Sequence, residues 1–264
     1  MNIFLRELTA NRKSLIIWSV IVALFVLVGI SKFSAYYNNP DMLKLLDSLP
    51  QAALDILDVN AFNLTTLSGF FGIMFTYFAL MLGIAAVMWG SEIISKEERD
   101  KTVEFSLTLP VTRSRVVTAK SLAALVNCAV LLIVTWVFSL LSASRYQPDT
   151  AFFKFLALCM AAIFIIQVIF LSVGLLLGCA MKRYKLAGAA AVSILLTTYF
   201  LSVISVLNKN LDFLKYLSPF KYFDPAILLH QSRFDFAFVA LSVAVVAACM
   251  TGAYLTYSRR DLFI

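Results

Sequence analysis

Six long apolar runs dominate this chain, at about residues 14–31, 64–90, 116–141, 151–181, 186–207 and 234–257, and none carries Asp, Glu, Lys or Arg near its middle. Coiled as helices that rise ~1.5 Å per residue, they match a hydrocarbon core ~30 Å thick. A water-soluble domain has no place for so much unbroken apolar surface. The composition agrees, with 61% hydrophobic and 14% charged residues and a mean hydropathy of +0.89, far from an ordinary globular domain. These features predict an all-α membrane protein, a single transmembrane domain over residues 1–264 with six transmembrane helices. A basic start before the first run also fits a cleaved signal peptide, but the run is long and its cleavage pattern poor, so it is read as a span.

The polar segments between the runs set the rest of the architecture. Before the first span, Phe4 and Leu8 stand four apart among Arg6, Glu7, Arg12 and Lys13, the pattern of a short interfacial helix. Residues 32–63 place Met42, Leu45, Leu46, Leu49, Ala53, Ile56 and Leu57 at helical spacing around Pro50. That predicts an amphipathic helical pair on the outer surface, a cap over the spans rather than a substrate contact. Residues 208–233 are too polar and proline-marked to cross and too aromatic for a plain loop, and predict a re-entrant or interfacial outer hairpin. Six spans leave both termini on one side. If that side is the cytoplasm, it receives 14 of the 22 Lys and Arg, as the positive-inside rule requires. The net charge of +7 is thereby explained by topology in the cell membrane, without nucleic acid. The four cysteines lie in apolar runs with no metal or disulfide spacing.

Several chemistries are missing. There is no glycine-rich phosphate loop ending in Lys-Ser or Lys-Thr, no HExxH, and the single histidine, His230, lies in the outer hairpin. The chain is therefore not expected to be an enzyme, to split ATP itself or to use a bound metal. Without a charge near mid-span, ion-coupled pumping also lacks its usual groups. The spans hold only Asn127, Thr135, Gln167, Thr197 and Thr198 as notable polar residues. These are candidate pathway-lining positions, with interhelical hydrogen bonding as the competing reading. Gly174 and Gly178 form a GxxxG that permits close helix contact within the chain or across a dimer.

The most informative hydrophilic stretch is Ser91 to Lys120. Lys96, Glu97, Glu98, Arg99, Asp100, Lys101 and Glu104 give a solvated helical surface, Val103, Phe105, Leu107 and Leu109 give it apolar anchors, and Pro110 ends it. Thr112 to Arg115 then restart a helix under a serine or threonine cap. Such an island, held between two spans, suits docking in a groove of another protein. A merely solvated loop fits the charge pattern equally well.

At this island the chain resembles the membrane subunits of type-2 ATP-binding-cassette exporters, the ABC-2 permease family. The similar residues are Glu97-Glu98, Lys101-Thr102-Val103-Glu104, Thr108-Leu109-Pro110-Val111-Thr112-Arg113 and Lys120. Elsewhere they are Ser48-Leu49-Pro50, Leu217-Ser218-Pro219-Phe220, Tyr222-Phe223-Asp224-Pro225 and Arg259-Arg260-Asp261. The resemblance implies a cytoplasmic coupling helix over Glu97, Glu98, Arg99, Asp100, Lys101, Thr102, Val103, Glu104 and Phe105 that docks on a separate ABC ATPase subunit. It also implies a second permease copy, identical or related, with substrate passing between the two. ATP and magnesium would be held by the ATPase. The apolar and hydroxyl-lined spans favour export of amphiphilic cargo such as hydrophobic peptides, drugs or lipid-like molecules. A sodium-type exporter, or a membrane protein that recruits a partner and transports nothing, are the alternatives.

Overall fold

The computed structural model describes residues 2–37, 39, 62–99, 112–181, 184–207 and 209–259. The expected outer cap around Pro50 and the centre of the charged island, Asp100 to Val111, lie outside them. The described residues form α1 (Ile3–Tyr36), α2 (Leu67–Arg99), α3 (Arg113–Ala143), α4 (Thr150–Ala180), α5 (Tyr184–Leu207), the short α6 (Pro225–Gln231) and α7 (Phe236–Arg259), with 3-10 turns at Ser144–Tyr146, Lys209–Tyr216 and Pro219–Lys221. All but α6 are long and apolar enough to cross a membrane. The starts are chemically marked. Asn2, Thr112, Asp149 and Asp224 accept backbone N–H groups at the N-termini of α1, α3, α4 and α6, which satisfies donors that a helix start leaves open. The expected cap on the third span is Thr112, 3.4 Å from the Arg115 amide.

The expected interfacial helix is not a separate element. No proline separates residue 13 from residue 14, and α1 runs unbroken through Ser14 for 34 residues. At ~1.5 Å per residue it measures ~51 Å, ~20 Å more than the apolar core needs.

The bundle is centred on α2 and α4, which pack on each other most extensively and bury most of their apolar residues, whereas α1, α5 and α7 remain largely exposed. The closeness of the central pair comes from glycine. A Cβ on Gly90 would lie 2.5 Å from the Leu171 carbonyl oxygen, one on Gly174 would collide with the Val87 carbonyl oxygen, and one on Gly178 would lie 2.8 Å from that of Ser91. The GxxxG thus serves a contact inside the chain. At one end of the bundle, aromatic rings join the elements: Phe33 meets Phe70 and Tyr146, each at 4.9 Å between centroids, and Phe71 meets Phe152 at 5.2 Å.

After α5 the chain folds back into the bundle. The Ser218 hydroxyl, fully buried, donates to the Thr198 carbonyl at 2.8 Å, nine residues before the end of α5 and so ~14 Å along its axis. Phe220 packs on Phe170 and Tyr199, and Tyr222 stacks on Phe238. The Tyr222 hydroxyl donates to the Tyr216 carbonyl at 2.7 Å, and burial pushes its pKa up, keeping the phenol a neutral donor. The segment 209–233 therefore returns as far as Thr198, within α5, before α7 begins.

Candidate functional site

The buried face of α1 carries Glu7, Val22, Val26, Ile30 and Phe33, and Ser14 on the same side accepts the Trp89 indole N–H at 2.9 Å. Glu7 is three residues beyond Phe4 and therefore shares its stripe rather than the polar flank. In α3, Lys120 lies between Val116 and Val117 on one side and Ala123 and Ala124 on the other, all buried. Packing α1 against α3 and the end of α2 encloses these two charges together with Lys96.

The result is a buried ionic cluster. Lys120 Nζ lies 3.1 Å from Glu7 Oε1 and donates to the Ile93 carbonyl at 2.7 Å. Lys96 Nζ is paired with Glu7 Oε2, its side chain 14% exposed against 1% for Glu7. One carboxylate of α1 thereby touches both ends of the island: Lys96 stands just before Glu97, and Lys120 follows the restart at Thr112. Charges removed from water bind strongly only when paired and hydrogen-bonded, so the three side chains are held in one arrangement. A second tie closes the same end of the bundle. Arg113 Nη1 donates to the carbonyls of Tyr257 and Ser258 at 3.3 and 3.2 Å, placing a cation at the negative C-terminus of α7.

This corrects the sequence reading of Lys96 as part of a solvated surface, because α1 covers it. Of the expected coupling helix, Glu97, Glu98 and Arg99 continue α2. Asp100, Lys101, Thr102, Val103, Glu104 and Phe105 lie outside the described residues. The expected pathway residues divide into two groups. Asn127, Thr135 and Gln167 are buried inside the chain; the Thr135 hydroxyl donates to the Leu131 carbonyl, and Gln167 Nε2 donates to the Cys128 carbonyl at 3.4 Å, joining α4 to α3. Thr197 is exposed on α5 and Thr198, half-buried, turns its hydroxyl to the Leu195 carbonyl. The structure does not gather these five residues into one site.

Glu7, Lys96 and Lys120 as a unit escaped the sequence reading. The signal was present in two places: Glu7 continues the Phe4 stripe, and Lys120 interrupts the most regular buried stripe of α3. Their pairing is a contact across 113 residues, which periodicity within either helix does not encode.

The geometry is that of a membrane bundle whose hydrophilic island is anchored at both ends to the first helix. Comparison with curated proteins gives no significant match. The family model described as ABC-2 family transporter protein matches residues 1–262, nearly the whole chain. A member of this family is a membrane component of an ABC transporter, which implies an ATPase partner. The chain belongs to the ABC-2 family of transporter proteins.

Proposed function

We propose that this chain is the permease subunit of an ATP-driven exporter in the cell membrane, with both termini in the cytoplasm, and that it moves an amphiphilic substrate outward. The observation that carries the reading is the attachment of the island's two ends, through Lys96 and Lys120, to the same buried carboxylate of α1. A force applied to the island by a docked ATPase is then felt by three spans together, since an ion pair in low dielectric resists separation. ATP and magnesium belong to that ATPase, whose contact is the segment Glu97 to Phe105. Two permease copies enclose the pathway, and the exposed apolar face of α5 with Thr197 at its centre supplies its wall. A lining of apolar and hydroxyl groups suits hydrophobic peptides, drugs or lipid-like molecules better than bare ions.

The docking step is tested by co-purification. The ABC ATPase encoded beside this chain should be retained by the wild-type permease in lipid nanodiscs and lost from the double reversal Glu97→Lys, Glu98→Lys. Equal retention by the reversed permease would sink the assignment of the coupling segment. Retention of no ATPase by the wild type would favour a protein that recruits another cytosolic partner.

A further inference from the structure

A second site opens on the side of the bundle away from the Glu7 cluster. Between α3, α4 and α7 lies a cleft of about 220 Å³ walled by Leu122, Leu125, Leu171, Leu175, Val246 and Met250. Its polar atoms are arranged asymmetrically. Ser121 and Ser172 turn their hydroxyls to the carbonyls of Val117 and Ile169, at 2.8 and 2.7 Å, so their stretch of wall presents carbon. At one end Thr118 and Tyr254 join their hydroxyls at 2.8 Å across α3 and α7. Just beyond that end are two arginines. Arg113 bridges α3 to the last turn of α7, and Arg115, exposed, is seven residues before Leu122 and so on the same helical face. Along α7 the wall extends from Val246 to Tyr254, ~12 Å by helical rise, most of the ~15 Å depth of one leaflet's hydrocarbon.

We propose that this cleft is a binding site for an anionic phospholipid, one acyl chain lying between α3, α4 and α7 and the headgroup phosphate held at Arg115 beside Arg113. Length selects a leaflet lipid, and positive charge at the polar end selects an acidic one: among the described residues, the cleft and its mouth carry cations and hydroxyls where a phosphodiester emerges from its acyl chain. Leu122, half exposed at the rim, leaves a lateral opening through which the lipid enters. The site does not require that the chain transport anything.

The test is native mass spectrometry of the full-length chain released from micelles doped with equal amounts of phosphatidylglycerol and phosphatidylcholine. The expected result is one retained lipid per chain with about a fivefold preference for phosphatidylglycerol, the factor one arginine near an acidic lipid supplies. Arg115→Gln should reduce that preference towards one, and Leu125→Trp, which fills the cleft, should reduce retention of both lipids. Circular dichroism of each variant separates these losses from misfolding, and Met250→Trp fills the cleft from α7 should Leu125→Trp fail to fold. Equal retention of the two lipids, or a preference indifferent to Arg115→Gln and to filling of the cleft, would overturn the proposal. So would efficient Leu122→Cys cross-linking between two chains in lipid, which assigns the cleft to a second copy.

Discussion

Glu7 is the residue on which this account bears most heavily. Its carboxylate, with 1% of its side chain exposed, faces two ammonium groups. Glu7→Gln removes the carboxylate that faces Lys96 and Lys120 and should lower stability by about 3 kcal/mol, the cost of breaking a buried pair from one side. Thermal unfolding in detergent reads this directly. Adding Lys120→Met to Glu7→Gln should recover part of the loss, since an uncharged side chain of similar length needs no partner. A double variant no more stable than Glu7→Gln would show that the pairing with Lys120 contributes little. Burial was legible here only in part: the stripe from Phe4 put Glu7 on the inner face, but its identity as a charge argued for water, and only the meeting of three helices decides between the two.

At the scale of elements, the crossing of α2 and α4 depends on missing side chains. Gly174→Leu would drive a branched side chain into the Val87 carbonyl and the backbone at Gly90 and Ser91. It should destabilise by about 3 kcal/mol, at the upper end of overpacking costs. Gly252→Ala meets only the flexible end of Leu176, at 2.9 Å, and should cost less than about 1 kcal/mol. Parallel thermal melts compare them, and a reversed order would refute the packing account. The exposed and buried threonines give a second contrast. In a background with the four native cysteines replaced, Thr197→Cys should react with a membrane-permeant maleimide and Thr135→Cys should not. Continued labelling of Thr197→Cys in the assembled transporter would agree with a place in the pathway wall, whereas protection there but not in the isolated chain would contradict it and mark α5 as the contact with a second copy. The spans themselves were legible because apolar length is read straight from the chain, and so was the cap at Thr112. The unbroken length of α1 was not, because charges around Arg6 to Lys13 resemble an interfacial helix whether or not the helix continues. The GxxxG was visible, yet its partner, Gly90 and Ser91 on another helix, was not.

At the scale of the whole molecule, the chain divides by depth. An aromatic cluster and the returning segment around Phe220 close one end and the middle, while the basic end carries the Glu7 cluster, the Arg113 tie and both roots of the island. Family membership and the six-span architecture followed from patterns spread over the whole sequence, which local errors do not erase. Substrate choice did not, since Asn127, Thr135 and Gln167 proved to lie within the packed interior, and in the proposed function the wall that meets the cargo is shared by two copies. In the proposed function, ATP hydrolysis by a separate subunit drives export through this chain. The most direct measurement of that export is ATP-dependent accumulation of a fluorescent amphiphilic peptide in vesicles reconstituted with the permease and its ATPase, the ATPase facing outward. Uptake should require ATP and disappear with Glu97→Lys, Glu98→Lys. Vesicles that hydrolyse ATP at a rate indifferent to the permease, and accumulate no amphiphile, would contradict the proposed function.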